Sequence, residues 1–169
     1  DLTKGFTQNC TASDQTCTNN YQQDRVDILK DYADYSWSLD PNHYVIFEHL
    51  GNGGSASEET EWANYRFGEG KGIMLWGEIF YPYKQLAQGF STGADISSIG
   101  HVSRGFSGKR LMGYPESHDK DRLMYEAVTY GNGGGSFPVA GNLTNALNRM
   151  ASIGAVSILV PGPKMIWHF

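Results

Sequence analysis

The sequence predicts an α/β fold with about four parallel strands. Four short apolar runs, YVIF (44–47), GIML (72–75), LMGY (111–114) and KMIW (164–167), are separated by stretches with helical periodicity. The runs are continuous rather than alternating, which is typical of strands that are buried on both faces of a parallel sheet. Because strand and helix alternate along the chain, the pattern indicates successive βα units.

The helices between these runs are predicted from apolar spacing and from capping signals. Val26, Leu29 and Tyr32 recur at helical spacing and predict a helix over 21–38, which the sequence DPN (40–42) ends. Ser55 and Glu58 have the spacing of a capping box and predict the start of the next helix. Further helices are predicted over 83–88, 121–129 and 143–153, with a short one within 94–104.

Two arrangements fit this order of elements, a small open doubly wound sheet and part of a (β/α)8 barrel. Many doubly wound sheets carry a phosphate-binding loop, and the glycine-rich stretch GNGGGS (131–136) lacks the Gly-Lys-Ser/Thr that such a loop requires. We therefore interpret these glycines as turn residues. The residues alone leave both arrangements open.

The composition limits the partners and the compartment of the protein. The 169 residues suffice for one domain with a core, and the 13 Lys and Arg are scattered at a net charge of −5, which argues against nucleic acid. No apolar stretch has the length of a membrane span, and no signal peptide opens the sequence. Cys10 and Cys17 are either a disulfide, which implies an oxidising compartment, or two free thiols. We predict that they lie within disulfide reach.

Acidic residues follow the predicted strands. Glu48 comes directly after YVIF, Asp119 follows LMGYPESH, and Asp1 is the first residue. Barrel enzymes place catalytic groups at the carboxyl ends of strands, and retaining glycosidases need two carboxyl groups about 5–5.5 Å apart. A third carboxylate can stabilise the developing positive charge. A single acid at a strand end is also typical of a solvated loop or a helix cap.

Two other kinds of site are not supported by the pattern. Ser117, His118 and Asp119 are consecutive, whereas a serine-hydrolase triad brings together residues that are separated in sequence. On an extended chain Ser117 and Asp119 would share a face and His118 would point away. The five histidines show no metal-ligand motif, so no metal site is predicted and most of them are interpreted as loop or surface residues.

Five segments together resemble a known family: DLTKGFTQ, YVIFEHL, GIMLWGE, LMGYPESHDKDRLMYE and ILVPGPKMIWHF. In this order they are similar to the second half of the catalytic barrel of bacterial α-amylases of glycoside hydrolase family thirteen. The resemblance implies a partial TIM (β/α)8 barrel, with the fifth to eighth strands and their helices. Residues 1–169 would be the C-terminal half of the catalytic barrel, a fragment that starts at the nucleophile.

The resemblance also assigns roles to residues. Asp1 corresponds to the nucleophile, Lys4 to a lysine that contacts substrate, and Glu48 to the general acid/base. Asp119 corresponds to the acid that stabilises the transition state, and His118 to a residue that contacts a sugar hydroxyl. Ser117 replaces the usual Asn and is interpreted as a structural loop residue. Gly5 stands where many members have His, so the sugar or calcium contact of that position is not expected here.

The function implied is that of a retaining α-amylase-like glycoside hydrolase. It would cleave α-1,4-glucosidic bonds in starch and maltooligosaccharides by double displacement, with an α-glucan as its partner and neither nucleic acid nor membrane. The isolated fragment is expected to be inactive. Alternatives are a transglycosylase of the same superfamily and a non-catalytic carbohydrate-binding fragment. The resemblance implies no particular cofactor for this chain, and it leaves open whether the full-length enzyme binds Ca2+. A secreted or periplasmic location is expected.

Overall fold

The computed structural model describes residues 2–11, 13–50 and 56–167, which form six α-helices and one sheet of two strands. The chain divides into two compact units. The first comprises Asp1–Glu78 and His101–Met112, and the second comprises Ile79–Gly100 and Gly113–Phe169. None of the described helices combines the length and the apolar character that a membrane-spanning helix requires.

The described residues of the first unit form three α-helices. Helix α1 (Gln15–Asn19) is capped by Asp14, whose carboxylate accepts a hydrogen bond from the Cys17 N–H at 2.9 Å. Helix α2 (Gln23–Leu39) confirms the helix predicted over 21–38, and helix α3 (Ala56–Asn64) follows the first strand. The N-terminal segment forms a turn of 3-10 helix over Leu2–Phe6.

The two strands belong to the first unit and run parallel. Strand β1 (Ile46–His49) pairs with β2 (Met74–Gly77), and the register places Glu48 opposite Trp76. Both strands lie two residues further along the chain than predicted, because pairing begins only where the Met74 N–H donates to the Val45 carbonyl at 2.9 Å. Glu48 is therefore a residue within β1, and not the first residue after it.

One face of β1 packs against helix α3. The Phe47 and His49 side chains lie 6.3 Å and 5.1 Å from the Trp62 ring, centroid to centroid, both edge to face. Because side chains alternate along a strand, Glu48 projects from the opposite face. The buried apolar residues of this unit come mainly from α2, α3, the strands and the residues beside the strands, and include Val26, Leu29, Ala33, Trp37, Phe47, Trp62, Ile73 and Leu75.

The second unit is helical in its described part. It contains α4 (Phe80–Gln88), α5 (Leu123–Tyr130) and α6 (Leu143–Leu159), and its core includes Phe80, Tyr83, Ala87, Leu123, Ala127, Val139, Ala146 and Ile153. Gly89 ends α4 at φ +78°, a left-handed conformation that glycine adopts without steric cost. Glu126 links two of the helices, because its carboxylate accepts hydrogen bonds from Lys84 and Gln88, both at 2.8 Å.

The prediction of about four parallel strands in a partial barrel is wrong for the residues that the structure describes. LMGY and KMIW form no strands and contribute only isolated parallel bridges. LMGY takes part in both of them, Leu75 with Leu111 in the first unit and Gly113 with Lys164 in the second, and KMIW takes part in the second bridge. Proline explains why pairing stops there. Pro115 follows LMGY, Pro161 and Pro163 precede KMIW, and none of the three has an N–H to donate to a ladder.

Candidate functional site

The segment that follows Asp1 is hydrogen-bonded to the carboxyl end of β1. The buried Thr3 hydroxyl donates to the main-chain carbonyl of Glu48 at 2.7 Å, and the same oxygen lies 2.8 Å from Nδ1 of His49. These contacts bring the 3-10 segment that carries Lys4 to the strand that carries Glu48. Asp1 itself lies outside the described residues.

Lys4 has an electrostatic environment that differs from that of an ordinary surface lysine. Partial burial lowers the pKa of Lys4, the positive charge of Arg25 lowers it further, and the carboxylate of Glu78 opposes both by raising it. The Arg25 guanidinium also donates to the Lys4 carbonyl through Nη1 at 3.3 Å. The amino group predicted to contact a sugar therefore has a lower pKa than that of an ordinary surface lysine.

Glu78 is a residue that the sequence analysis missed. It directly follows β2, just as the predicted acid Glu48 lies at the carboxyl end of β1, and the two strands are adjacent and parallel. The same signal, an acid where a strand ends, was present in the segment GIMLWGE. Its influence on Lys4 makes Glu78 a further acidic group of this region.

Behind β1 lies an ion pair that is closed to solvent. Arg25 of α2 and Glu58 of α3 are 2.7 Å apart between Nη2 and Oε2, and both side chains are 0% exposed. Glu58 also accepts from the Gln22 N–H at 2.6 Å, and Arg25 donates to the carbonyls of Thr18 and Asn20 at 2.8 and 2.9 Å. Both charges are thus surrounded by hydrogen-bond partners, as buried charges require.

His49 is an exception to the interpretation of most histidines as loop or surface residues. Its side chain is fully buried, with Nε2 3.6 Å from Oε2 of Glu58 and the ring against Trp62. Burial lowers the pKa of His49 to about 3, and the nearby positive charges of Arg25 and Lys4 act in the same direction. His49 is therefore neutral at ordinary pH.

His118 and Asp119 belong to the second unit and are adjacent in space. Nε2 of His118 lies 3.1 Å from Oδ1 of Asp119, and both side chains are nearly half exposed. They occupy a turn and not an extended strand, so the expectation that His118 points away from Asp119 is wrong.

Hydrogen bonds to Glu116 and Ser117 fix the turn that carries these residues. Glu116 accepts hydrogen bonds from the Leu123 N–H at the start of α5 and from the Arg122 guanidinium, both at 2.8 Å. Ser117 is buried, and its hydroxyl accepts a long hydrogen bond of 3.4 Å from the Asp119 N–H. This position agrees with the structural role predicted for Ser117.

The cysteines form the disulfide that one of the two interpretations required. Cys10 and Cys17 are bonded, with 5.7 Å between their Cα atoms, which confirms the predicted reach. The bridge joins Cys10, which follows the N-terminal 3-10 segment, to Cys17 in α1. The secreted or periplasmic location stays a prediction.

Of the predicted site residues, Lys4 and Glu48 lie in the first unit, and His118 and Asp119 lie in the second. The convergence of Asp1, Glu48 and Asp119, and a separation of about 5–5.5 Å between the first two, stay predictions. The chain matches no known protein-family model, and no curated protein sequence is significantly similar to it. The resemblance to α-amylases therefore rests on the five segments alone.

Proposed function

We propose that the protein acts as a retaining glycoside hydrolase of the α-amylase type on α-1,4-linked glucans. The observation that carries the proposal is the pair of contacts from Thr3 to Glu48 and His49. A retaining mechanism needs a nucleophile and an acid/base close together. The contacts support this requirement, because they fasten the segment that follows the proposed nucleophile to the strand of the proposed acid/base.

The reaction has two steps. Glu48 donates a proton to the glycosidic oxygen while the Asp1 carboxylate attacks the anomeric carbon, so the glycosidic bond breaks and a glycosyl-enzyme ester forms. Glu48, now a carboxylate, takes a proton from water, whose oxygen attacks the anomeric carbon and releases Asp1. Asp119 stabilises the positive charge of the oxocarbenium-like transition state. Lys4 and His118 contact sugar hydroxyls.

The test uses the protein expressed from its whole gene and maltooligosaccharides as substrate. We expect reducing-sugar release that falls by on the order of 10²–10⁴-fold in Glu48→Gln, because the variant cannot transfer a proton. Glu69→Gln is the matched control, since Glu69 is an exposed partner of Arg66 and is expected to leave the rate unchanged. Wild-type turnover that survives Glu48→Gln would contradict the proposal.

The products separate the proposed reaction from its rivals. Retention is checked by NMR of the newly formed anomer, which should be α. A fluorinated glucosyl fluoride should trap the intermediate, and mass spectrometry should find the label on the peptide that contains Asp1. Oligosaccharides longer than the substrate would indicate a transglycosylase instead, and binding without turnover would indicate a carbohydrate-binding protein.

A further inference from the structure

A continuous series of contacts in the first unit starts at the N-terminal segment, passes through the strand of the proposed acid/base and returns to that segment. Thr3 contacts Glu48 and His49 of β1, and His49 lies beside Glu58 of α3. Glu58 is paired with Arg25 of α2, whose Nη1 returns to the N-terminal segment at the carbonyl of Lys4. These contacts thus join the segment that follows Asp1 to the strand of Glu48 through helices α2 and α3.

The number of protons on Thr3 determines which ring nitrogen of His49 carries hydrogen. A hydroxyl has one proton, and the Glu48 carbonyl, 2.7 Å away, accepts but cannot donate. The Thr3 proton is therefore directed to Glu48, and its oxygen is left to accept at the 2.8 Å contact with His49. Nδ1 of His49 must then be the protonated nitrogen.

The other nitrogen of the ring is consistent with this tautomer. Nε2 stands 3.6 Å from the Glu58 carboxylate, which is longer than an N–H···O hydrogen bond, so that contact requires no Nε2–H. The carboxylate already accepts from the Gln22 N–H and from the Arg25 guanidinium. The low pKa of His49, set first by burial, keeps a second proton off the ring.

We infer that Thr3 and His49 are positioning residues of the proposed reaction: Nδ1–H of His49 donates to Thr3, and the Thr3 hydroxyl holds the Glu48 main chain. The inference rests on the proposed function. Because His49 and Glu48 are consecutive, one hydroxyl fixes both the His49 ring and the Glu48 peptide. Donors in such a chain polarise each other, and the buried surroundings keep water from replacing them. Thr3 and His49 thus orient Glu48, and neither residue needs to contact the substrate.

The first test is spectroscopic and needs no turnover. In the 15N NMR spectrum of the purified protein with 15N-labelled histidine, we expect His49 to show a protonated Nδ1 and an unprotonated Nε2. His49→Asn and Thr3→Val identify its signals by their loss or shift. A protonated Nε2 with a bare Nδ1 would overturn the inference, because Thr3 would then have to donate to two acceptors with one proton.

The second test uses two matched pairs of variants in the protein expressed from its whole gene. Thr3→Ser keeps the hydroxyl and Thr3→Val removes it at equal volume. His49→Asn places an amide N–H where Nδ1 stands, and His49→Gln places one where Nε2 stands. We expect kcat to fall on the order of ten- to a hundredfold in Thr3→Val and His49→Gln, since small misplacements of a catalytic group are costly. KM should change little, and Thr3→Ser and His49→Asn should recover most of the rate.

The outcomes separate the two proposals. If Glu48→Gln abolishes turnover but Thr3→Val keeps the wild-type kcat, the positioning role is refuted and the proposed function stands. If Glu48→Gln retains turnover, the proposed function fails, and the positioning role fails with it. Thermal unfolding of each variant shows whether a loss of rate comes from unfolding, and Thr3→Ser is expected to fold like the wild type.

Discussion

Arg25 and Glu58 form an ion pair with 2.7 Å between Nη2 and Oε2, and neither side chain is exposed. The pair joins α2 to α3 behind the strand that carries Glu48. Burial raises the pKa of Glu58, and the hydrogen bonds from the Gln22 N–H and Arg25 oppose that rise. The carboxylate is thus stabilised by its partners and destabilised by its surroundings, so the loss of either partner is expected to be costly.

Replacement of Arg25 by Met is expected to lower the free energy of unfolding by about 3–5 kcal/mol, because it leaves the Glu58 charge buried without its counter-ion. Urea unfolding followed by circular dichroism measures the change. The double variant Arg25→Met/Glu58→Leu removes both charges and should recover much of the loss. Glu69→Gln, at an exposed ion pair with Arg66, is the control and should change stability little. An Arg25→Met protein as stable as the wild type would show that Glu58 does not need Arg25 as its counter-ion.

The pH dependence of stability should carry the signature of His49. Its pKa is lowered from 6.5 to about 3 in the folded protein, so the unfolded chain binds this proton more readily. The contribution of His49 to the free energy of unfolding is therefore fully present above pH 6.5. It decreases as the pH falls towards 3, by up to about 1.4 kcal/mol per pH unit. The charged groups of Arg25, Lys4 and Glu58 lie near the His49 ring and also affect how stability changes with pH. The effect of His49 is therefore measured by comparing the wild type with His49→Asn.

Urea unfolding of both proteins at several values between pH 7 and pH 4 gives the contribution of His49 as a difference. We expect the wild type to lose stability faster than His49→Asn over this window. Glu58 acts in the opposite direction, because a raised carboxyl pKa favours the folded state as the pH falls. Parallel curves for the two proteins would show that His49 titrates normally.

The disulfide should stabilise the first unit. It joins cysteines seven residues apart, and a loop of this size is expected to contribute about 2–3 kcal/mol by restricting the unfolded chain. The Cys10→Ser/Cys17→Ser variant should therefore unfold at lower urea concentration than the oxidised wild type. The wild type treated with dithiothreitol is the matched control and should unfold like the double variant. Equal midpoints for oxidised and reduced protein would contradict the prediction.

The sequence was sufficient to predict five of the six α-helices in the described residues, because their apolar spacing reports burial directly, and the short helix α1 was missed. The helix over 21–38 was found as α2, with Val26 and Leu29 buried, although Tyr32 is 59% exposed. LMGY and KMIW have the composition of strands, but prolines lie beside them and both segments form only isolated bridges. Composition predicted the burial of Leu111, Met112 and Tyr114, but Ile166 of KMIW is 85% exposed. Composition also did not predict which hydrogen bonds these segments would form.

The surroundings of the candidate site were hidden from the sequence for a related reason. Glu48 and Lys4 stay predictions that rest on the resemblance. The burial of His49 was not predicted, because its surroundings come from Arg25 and Glu58, which are distant in sequence. The predicted capping box of Ser55 and Glu58 falls on Ser55, which lies outside the described residues. The Glu58 carboxylate accepts from Arg25 and Gln22, which the sequence did not indicate. Long-range pairing of polar groups leaves no local signal in a sequence.

The charge state of Lys4 should depend on Glu78. Because the Glu78 carboxylate raises the pKa of Lys4 against burial and Arg25, Glu78→Gln is expected to lower that pKa further. An NMR titration of the 15N-labelled lysine amino groups measures the shift, with Lys4→Arg identifying the signal. Glu69→Gln removes an exposed carboxylate elsewhere in the first unit and should leave Lys4 unchanged. If Lys4 contacts a sugar hydroxyl as a charged donor, Glu78→Gln should also weaken maltooligosaccharide binding more at high pH than at neutral pH. A Lys4 pKa that stays the same or rises in Glu78→Gln would show that the carboxylate does not act on this amino group.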